Sequence, residues 1–155
     1  MKSHGFSLVE MLVSLVILSI LASATIPYAK VEYTRTKELK LTRALRTIRS
    51  AIDAFNDDCK QGLMASAQEG VSRDCFPRDL QTLVDGVLSS DADGHRLYYL
   101  RRVPEDPFSD AVLNDQWEIR GYRDEPEGTW HADDLFDVRV QHDMRALNGS
   151  EYRTW

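Results

Sequence analysis

The sequence predicts an α+β protein in which one long N-terminal helix precedes a small C-terminal head. Three observations predict this class. Residues 6–28 form an almost uninterrupted apolar run, residues 41–55 carry apolar side chains at spacings of three and four, and two segments beyond residue 116 alternate apolar with polar residues. The first two patterns are typical of helices, and the third is typical of strands with one buried face. A chain of 155 residues has room for one domain and a separate targeting or membrane element.

Composition and net charge narrow the classes of function. The chain is 43% hydrophobic and 28% charged, which is typical of a globular protein and not of a disordered or low-complexity one. Its formal net charge is −6 at pH 7. Proteins that bind nucleic acids neutralise phosphates with an excess of lysine and arginine, so we expect no nucleic-acid partner.

The first element is a short leader, residues 1–5, which contains one basic residue, Lys2, and ends at Gly5. The apolar run that follows is assigned to residues 6–28. At about 1.5 Å per residue it is long enough to cross a hydrocarbon core of about 30 Å as a helix. Lys2 favours a cytoplasmic start for this run, although lysines and arginines also follow it.

Glu10 is the only ionisable side chain between Phe6 and Pro27. A carboxylate in an apolar span costs roughly a few kcal/mol unless it is paired or lies close to the interface. Cleavage between Gly5 and Phe6 would create an α-amino group close to Glu10 in sequence. That group could neutralise the carboxylate in the same chain or in a neighbouring one.

The pattern K-x-x-G followed by F-S-L-V-E-M-L-V-S-L-V-I-L-S-I-L resembles the signal of type IV pilins and of type II secretion pseudopilins. The resemblance implies that a membrane prepilin peptidase cuts after Gly5 and methylates the new amino terminus at Phe6. It also implies that Glu10 is the glutamate through which subunits contact one another during assembly. Pro27 corresponds to the family's helical proline, and its missing N–H and its ring are expected to break or kink the helix there.

Two other interpretations of the amino terminus stay open. The tripeptide at residues 22–24, Ala-Ser-Ala, has the small-x-small form that signal peptidase cuts, and such a cut would release a soluble protein. The length of the apolar run and its early acidic residue argue against that interpretation. A plain uncleaved membrane anchor is the second alternative, but it leaves Gly5 and Glu10 unexplained.

The helix is predicted to continue beyond Pro27 as an amphipathic half, assigned to residues 29–56 and ending at Asn56-Asp57-Asp58. Its arginines lie opposite the apolar face and are interpreted as solvated. By the resemblance, this helix is the spine of a pilin-like fold, with one half in the membrane and the other covered by the head. The residues of the apolar face are Leu41, Ala44, Leu45, Ile48, Ile52 and Phe55.

The head is assigned to residues 57–155. Its two cysteines, Cys59 and Cys75, form an even pair behind an export signal, which favours a disulfide over free thiols. Closing a loop of about 15 residues contributes roughly 3 kcal/mol in the chain-entropy model. We therefore expect this bond to stabilise a head that has a limited core.

A short helix and a β-hairpin are predicted within the head. Asp79 lies near the start of the helix, and the alternating segments 117–122 and 136–141 form the hairpin with a long, charged loop between them. The residues of the short helix expected to face inward are Leu80, Leu83, Val84 and Val87.

Three patterns in the head resemble the major pseudopilins of type II secretion. They are F-P-x-x-L-x-x-L-V, then L-R-R-V-P-E-D-P-F with a later tryptophan at Trp117, and finally F-D-V-R with A-L-N-G-S-x-Y-R-x-W. Major pseudopilins often hold calcium near the last strand, which makes Asp133, Asp134 and Asp137 the candidates here. Calcium takes six to eight oxygen ligands, and the glycine-rich run of that loop is missing, so we expect no cofactor, with calcium as the alternative.

No pattern of catalytic residues accompanies these features. The sequence has no G-x-S-x-G, no P-loop, no dinucleotide fingerprint and no H-E-x-x-H. His131 and His142 are interpreted as surface residues. We therefore expect no enzymatic activity.

Together these features predict a structural pseudopilin of a type II secretion system, polymerised into a short envelope filament that drives protein export. The expected partners are further copies of the chain, other pseudopilins, the prepilin peptidase and the inner-membrane assembly platform. The expected location is the bacterial inner membrane, crossed once, with the head in the periplasm. The alternatives are a pilin or minor pilin of a type IV pilus, used in adhesion, motility or DNA uptake, and a secreted binding module with an ordinary signal peptide.

Overall fold

A computed structural model describes residues 7–65, 68–110, 116–131 and 133–155. Its long N-terminal helix and short antiparallel sheets confirm the predicted α+β class and fit a pilin-like fold. In chain order the elements are the helices α1 (Leu8–Lys60) and α2 (Leu80–Asp85), the strands β1 (Val87–Leu88), β2 (Arg96–Leu97), β3 (Trp117–Arg120) and β4 (Asp137–Val140), and a 3₁₀ turn at Tyr152–Thr154.

The chain divides into two compact units, Met1–Thr36 and Lys37–Trp155. In the first unit, the large apolar side chains from Leu8 to Leu21 are 49% to 80% exposed. The most apolar stretch of α1 has a mean hydropathy of 2.2, so by length and composition this helix is a candidate to cross a membrane. A helix that is apolar all round is stable only in lipid or against other helices.

Helix α1 continues through Pro27, so of the two predicted effects, a break or a kink, the break does not occur. Proline removes one hydrogen bond and costs about 3 kcal/mol in a helix interior. A helix of 53 residues retains the bonds of the turns on both sides, which is why one lost bond does not end it. A kink at Pro27 stays a prediction.

Helix α1 ends at Lys60 rather than at Asn56. Asparagine and aspartate favour helix ends because their side chains bond to nearby backbone. Here those side chains have distant partners instead. Asn56 is buried and its Nδ2 donates to the carbonyl of Cys75 at 2.9 Å, while Asp58 accepts from the Tyr99 hydroxyl at 2.7 Å. These tertiary contacts leave the backbone free to continue the helix.

The predicted apolar face of α1 is confirmed, and it forms one side of the core of the second unit. Leu41, Ile48 and Phe55 have no exposed surface. The opposite side of the same hydrophobic cluster comes from α2 and the segments that follow it, and its almost fully buried residues include Leu83, Val87, Trp117, Leu135, Val138, Val140 and Tyr152.

Helix α2 begins as predicted but is shorter. The Asp79 carboxylate accepts from the Thr82 amide at 2.7 Å and caps the helix. The helix ends at Asp85, and Gly86 turns the chain with φ 72°. A Cβ at Gly86 would lie 2.6 Å from the Leu97 carbonyl oxygen. Val87 is therefore buried in β1, where it pairs with Leu97, and the prediction that it belongs to the helix is wrong.

The predicted hairpin is present as the antiparallel pair β3 and β4. Trp117 lies opposite Val140 and Ile119 opposite Val138, so these side chains share the face toward the core. The other face carries charged residues, with Glu118 directly opposite Arg139.

The expected disulfide joins Cys59 to Cys75, with their Cα atoms 5.6 Å apart. It connects the last turn of α1 to the segment that precedes α2. The Asn56 side chain binds the same segment through the Cys75 carbonyl, so the bond and the amide hold this loop against the end of the helix.

Candidate functional sites

The predicted processing residues Gly5 and Phe6 lie outside the described residues. Glu10 lies in the first turn of α1 and is exposed. A carboxylate in the first turn is favoured by the positive end of the helix dipole. Within the part of the chain that the structure describes, no cation contacts this carboxylate. Its charge is therefore available to a partner outside that part.

Three serine hydroxyls of the same apolar stretch, unlike the Glu10 carboxylate, bond to carbonyls of their own helix. Ser14 donates to the Glu10 carbonyl at 2.8 Å, Ser19 to the Leu15 carbonyl at 2.7 Å, and Ser23 to the Ile20 carbonyl at 2.8 Å. A hydroxyl that bonds back to its own helix adds little polarity to the surface, which suits lipid or a neighbouring helix. Among the described residues, the Glu10 carboxylate has no comparable bond to its own helix.

The three calcium candidates do not share a site. Asp137 binds the Arg49 guanidinium at 2.7 Å, and Asp134 is buried and accepts from the Tyr122 amide at 2.8 Å. Asp133 is exposed. Among the described residues, no three acidic, histidine or cysteine side chains are grouped so that they could hold a metal ion. Calcium takes six to eight oxygen ligands, and its binding here stays the alternative that the sequence analysis named.

Aspartates of the β3–β4 loop bind backbone amides instead. The Asp124 Oδ2 accepts from the Gly121 amide at 2.8 Å and from the His131 amide at 2.9 Å. Together with the contact of Asp134 to Tyr122, these bonds fix the conformation of the loop. No sequence pattern marked Asp124, because the amides that it binds lie three and seven positions away along an irregular loop.

Glu118 is the centre of a charged cluster on the outer face of the hairpin. It accepts two bonds from Arg139, at 2.7 and 2.8 Å, and one from Arg153 at 2.8 Å. The hydrogen bonds from Arg139 lower the pKa of Glu118 below its ordinary value, and burial opposes this effect. The same contact raises the pKa of Arg139. The Arg139 guanidinium also stacks on the Trp130 ring at 3.6 Å.

Arg49 is half-buried and bound to the head, contrary to the interpretation of the helix arginines as merely solvated. Its guanidinium donates to the Asp137 carboxylate and the Trp155 carbonyl at 2.7 Å each, and to the Val138 carbonyl at 3.1 Å. One side chain thus joins α1 to β4 and to the last residue of the chain. Arg43 and Arg46, by contrast, are exposed as interpreted.

His142 is not a surface residue either, which corrects the interpretation of the two histidines; only His131 is exposed. The His142 Nε2 lies 3.0 Å from the Asp106 carboxylate, whose side chain is fully buried. Asp106 also accepts from the Phe108 amide at 2.9 Å, and the His142 ring packs edge-on against Phe108. Sequence spacing gave no signal for a contact between residues this far apart.

The tail of the chain is bound by Glu38 on α1. The Glu38 carboxylate accepts from the Leu147 amide at 2.7 Å and from the Tyr152 hydroxyl at 3.1 Å. Burial, and then the contact with Glu38, raise the pKa of Tyr152 to about 12. No sequence pattern identified Glu38 as the partner of the tail, because its contacts lie more than 100 residues away along the chain.

Residues 1–26 match the family model described as "Prokaryotic N-terminal methylation motif". The match supports a type IV pilin-like protein that is processed as a prepilin and assembles with other pilin-like subunits. With the exposed apolar helix, it also indicates anchoring in a membrane. No curated protein and no solved structure matches the chain.

Proposed function

We propose that the protein is a structural pseudopilin of a type II secretion system, polymerised into a short envelope filament that drives protein export. One observation carries the proposal. An N-terminal methylation motif leads directly into an apolar helix whose described side chains are exposed and whose single carboxylate, Glu10, contacts no cation within the described residues. A surface of this kind is suited to assembly and not to catalysis.

The proposed mechanism begins with cleavage between Gly5 and Phe6 by the prepilin peptidase, which also methylates Phe6. The mature chain crosses the inner membrane once, with its head in the periplasm. During assembly on the inner-membrane platform, Glu10 of an incoming copy pairs with the amino terminus of its neighbour. That ion pair is strengthened by the low dielectric between packed apolar helices.

The secretion branch is preferred because of the three sequence patterns in the head that resemble major pseudopilins. The three patterns that resemble major pseudopilins contribute to a single core. The Trp117 indole donates to the Pro104 carbonyl at 3.0 Å, which ties the L-R-R-V-P-E-D-P-F segment to β3. Phe76, Leu83 and Tyr152, from the other two patterns, are buried in the same cluster.

The mass of the mature amino terminus tests the processing step. We expect a chain that begins at Phe6 and carries an added methyl group. A start at Thr25 would support the secreted binding module, and an intact Met1 would support an uncleaved anchor. Either of these two results would contradict the proposal.

Replacement of Glu10 tests the assembly step. We expect Glu10→Val to insert in the membrane and to be cleaved normally, but to lose crosslinks between copies in cells. Glu32→Val is the matched control, because Glu32 is an exposed glutamate on the same helix outside the apolar run. Crosslinks that persist in Glu10→Val would exclude the proposed role of this carboxylate.

The type IV pilus subunit is the second candidate, since the methylation motif supports both. Deletion of the gene distinguishes them. We expect loss of protein export with surface fibres unchanged. Recovery of the protein in sheared surface fibres, with export intact, would support the pilus subunit instead. The proposal involves no catalytic residue and no cofactor, and we therefore expect assembly to persist when calcium is chelated.

A further inference from the structure

The exposed face of α1 in the second unit carries two arginines followed by two aspartates, and Lys60 lies beyond the aspartates in the last turn. Arg43 and Arg46 are exposed on the N-terminal side, and Asp53 and Asp57 are exposed on the C-terminal side. Ser50, also exposed, lies between the two pairs. The successive spacings of three and four place all five residues along one line of the helix surface. The four charged residues are called the charged stripe below.

The charges of this stripe are unused within the chain. Over the described ranges, none of the four charged groups forms a hydrogen bond or an ion pair. Arg49, on the same helix, contrasts with them because all of its acceptors lie within the second unit. Arg49 therefore binds within the second unit, whereas the charged groups of the stripe have no partner among the described residues.

The two ends of the stripe are too far apart to pair with each other in one helix. Arg43 and Asp53 are about 15 Å apart along the axis, and Arg46 and Asp57 about 16 Å, at 1.5 Å per residue. Side chains on one helix meet at spacings of three or four residues. A second helix lying parallel, and displaced by that distance along the axis, brings the arginines of one copy opposite the aspartates of the other.

We propose that the charged stripe is an interface with a second copy of this chain, in which Arg43 and Arg46 of one copy face Asp53 and Asp57 of the next. The inference rests on the proposed function, in which copies lie side by side in the same orientation because each inserts the same N-terminal helix. Exposed ion pairs contribute little each, so the stripe selects the axial register and does not drive association.

A groove beside the stripe gives room for the side chains of a neighbour. Its volume is about 470 Å³, and Arg46, Ser50, Asp53 and Trp155 are among the residues that line it. The presence of both signs favours a protein partner over lipid phosphates, because the two aspartates would repel an anionic surface. A second copy supplies the complementary charges in the required order.

Charge reversal in the full-length protein tests the interface. The variants are R43E with R46E, D53R with D57R, and all four changes together. Crosslinking between copies in cells is the measurement. We expect each double reversal to lower the yield about tenfold or more, since like charges then face each other, and the fourfold variant to regain it.

Controls separate this inference from defects of folding and from the proposed function itself. R101E with R102E is the matched control, because both arginines are exposed and lie outside the stripe. Formation of the Cys59–Cys75 disulfide reports folding of each variant. Unchanged crosslinking in the double reversals would overturn the interface while leaving the proposed function intact.

Two further outcomes of the crosslinking experiment would also overturn the interface. If the double reversals lose crosslinks and the fourfold variant does not recover them, the stripe binds a partner other than a second copy, and the inference is wrong. If the unmodified protein forms no crosslinks between copies, the proposed function is wrong and the interface is overturned with it.

Discussion

Glu118 shows how one carboxylate can organise a surface that is otherwise rich in arginine. It accepts bonds from Arg139 on the opposite strand and from Arg153 in the tail. Charge-assisted bonds of this kind are stronger than neutral ones, and the pair with Arg139 is bidentate. Because both partners are fixed only in the folded chain, the ionised form of Glu118 is favoured by folding.

The first prediction concerns acid stability. In the folded protein the pKa of Glu118 lies below its ordinary value of 4.5. The stability that ionised Glu118 contributes is therefore fully present above pH 4.5 and is lost as the pH falls through the folded pKa. We expect Glu118→Gln to lower the free energy of unfolding at neutral pH, with a difference that shrinks in acid. Denaturant unfolding of the full-length protein in detergent measures this. Glu127→Gln, at an exposed position, is the control. A difference that is independent of pH would contradict the assignment.

The second prediction concerns the contact between Asp106 and His142. Removal of a buried polar side chain leaves its neighbours without a partner, at a cost of about 1–3 kcal/mol, and here those neighbours are the Phe108 amide and the His142 ring. We expect Asp106→Ala to destabilise the protein by about 1–3 kcal/mol on that basis. A double-mutant cycle with His142→Ala is the measurement, and the two effects should be less than additive. Strict additivity would show that the 3.0 Å contact contributes nothing.

At the scale of elements, the turn between α2 and β1 depends on one glycine. Gly86 and Gly62 have almost the same φ, 72° and 73°, so a side chain is strained at both. They differ in their surroundings. A Cβ at Gly86 would lie 2.6 Å from the Leu97 carbonyl oxygen, whereas a Cβ at Gly62 would meet nothing within 4 Å.

The third prediction uses that pair of glycines. We expect Gly62→Ala to cost about 1–2 kcal/mol, the strain of a left-handed conformation. Gly86→Ala should cost clearly more, because the clash with Leu97 also disturbs the pairing of β1 with β2. Unfolding of the two variants under identical conditions gives the comparison. Equal losses would show that the close approach at Gly86 relaxes without effect.

Elements with local causes were predicted from the sequence, and those with distant causes were not. The buried face of α1, the Asp79 cap and the hairpin follow from spacing and from one hydrogen bond between near neighbours. The end of α1 depended on Tyr99 and Cys75, which bind residues of the last two turns. The same reason hid the contacts of Arg49, His142 and Glu38 from the sequence analysis, because each has partners much later or earlier in the chain.

At the scale of the whole molecule, apolar side chains serve two separate purposes. In the first unit they are exposed, as at Leu15, which is 64% exposed. In the second unit they form the core, as at Phe55, which has no exposed surface. The core that stabilises the second unit is built from residues from Lys37 onward. Under the proposed function, Glu10 and the apolar surface around it act in assembly instead.

The fourth prediction contrasts these two purposes. Truncation of a buried phenylalanine costs about 3–5 kcal/mol, so we expect Phe55→Ala to lower the stability of the protein in detergent by that amount. Leu15→Ala should leave the thermal midpoint unchanged. The same two variants should be tested for crosslinking between copies in cells. A fall in thermal stability for Leu15→Ala would contradict this division.

The contacts of Arg49 and Glu38 also impose an order on biosynthesis. Their partners Trp155, Leu147 and Tyr152 lie 106, 109 and 114 residues away along the chain. Translation proceeds from the amino terminus, so both side chains emerge long before anything can satisfy them. The apolar half of the helix is therefore synthesised well before the tail residues that Arg49 and Glu38 bind. The nascent subunit thus passes through a stage in which its N-terminal helix is complete but its head is not yet folded, and a chaperone or protease would meet it at that stage.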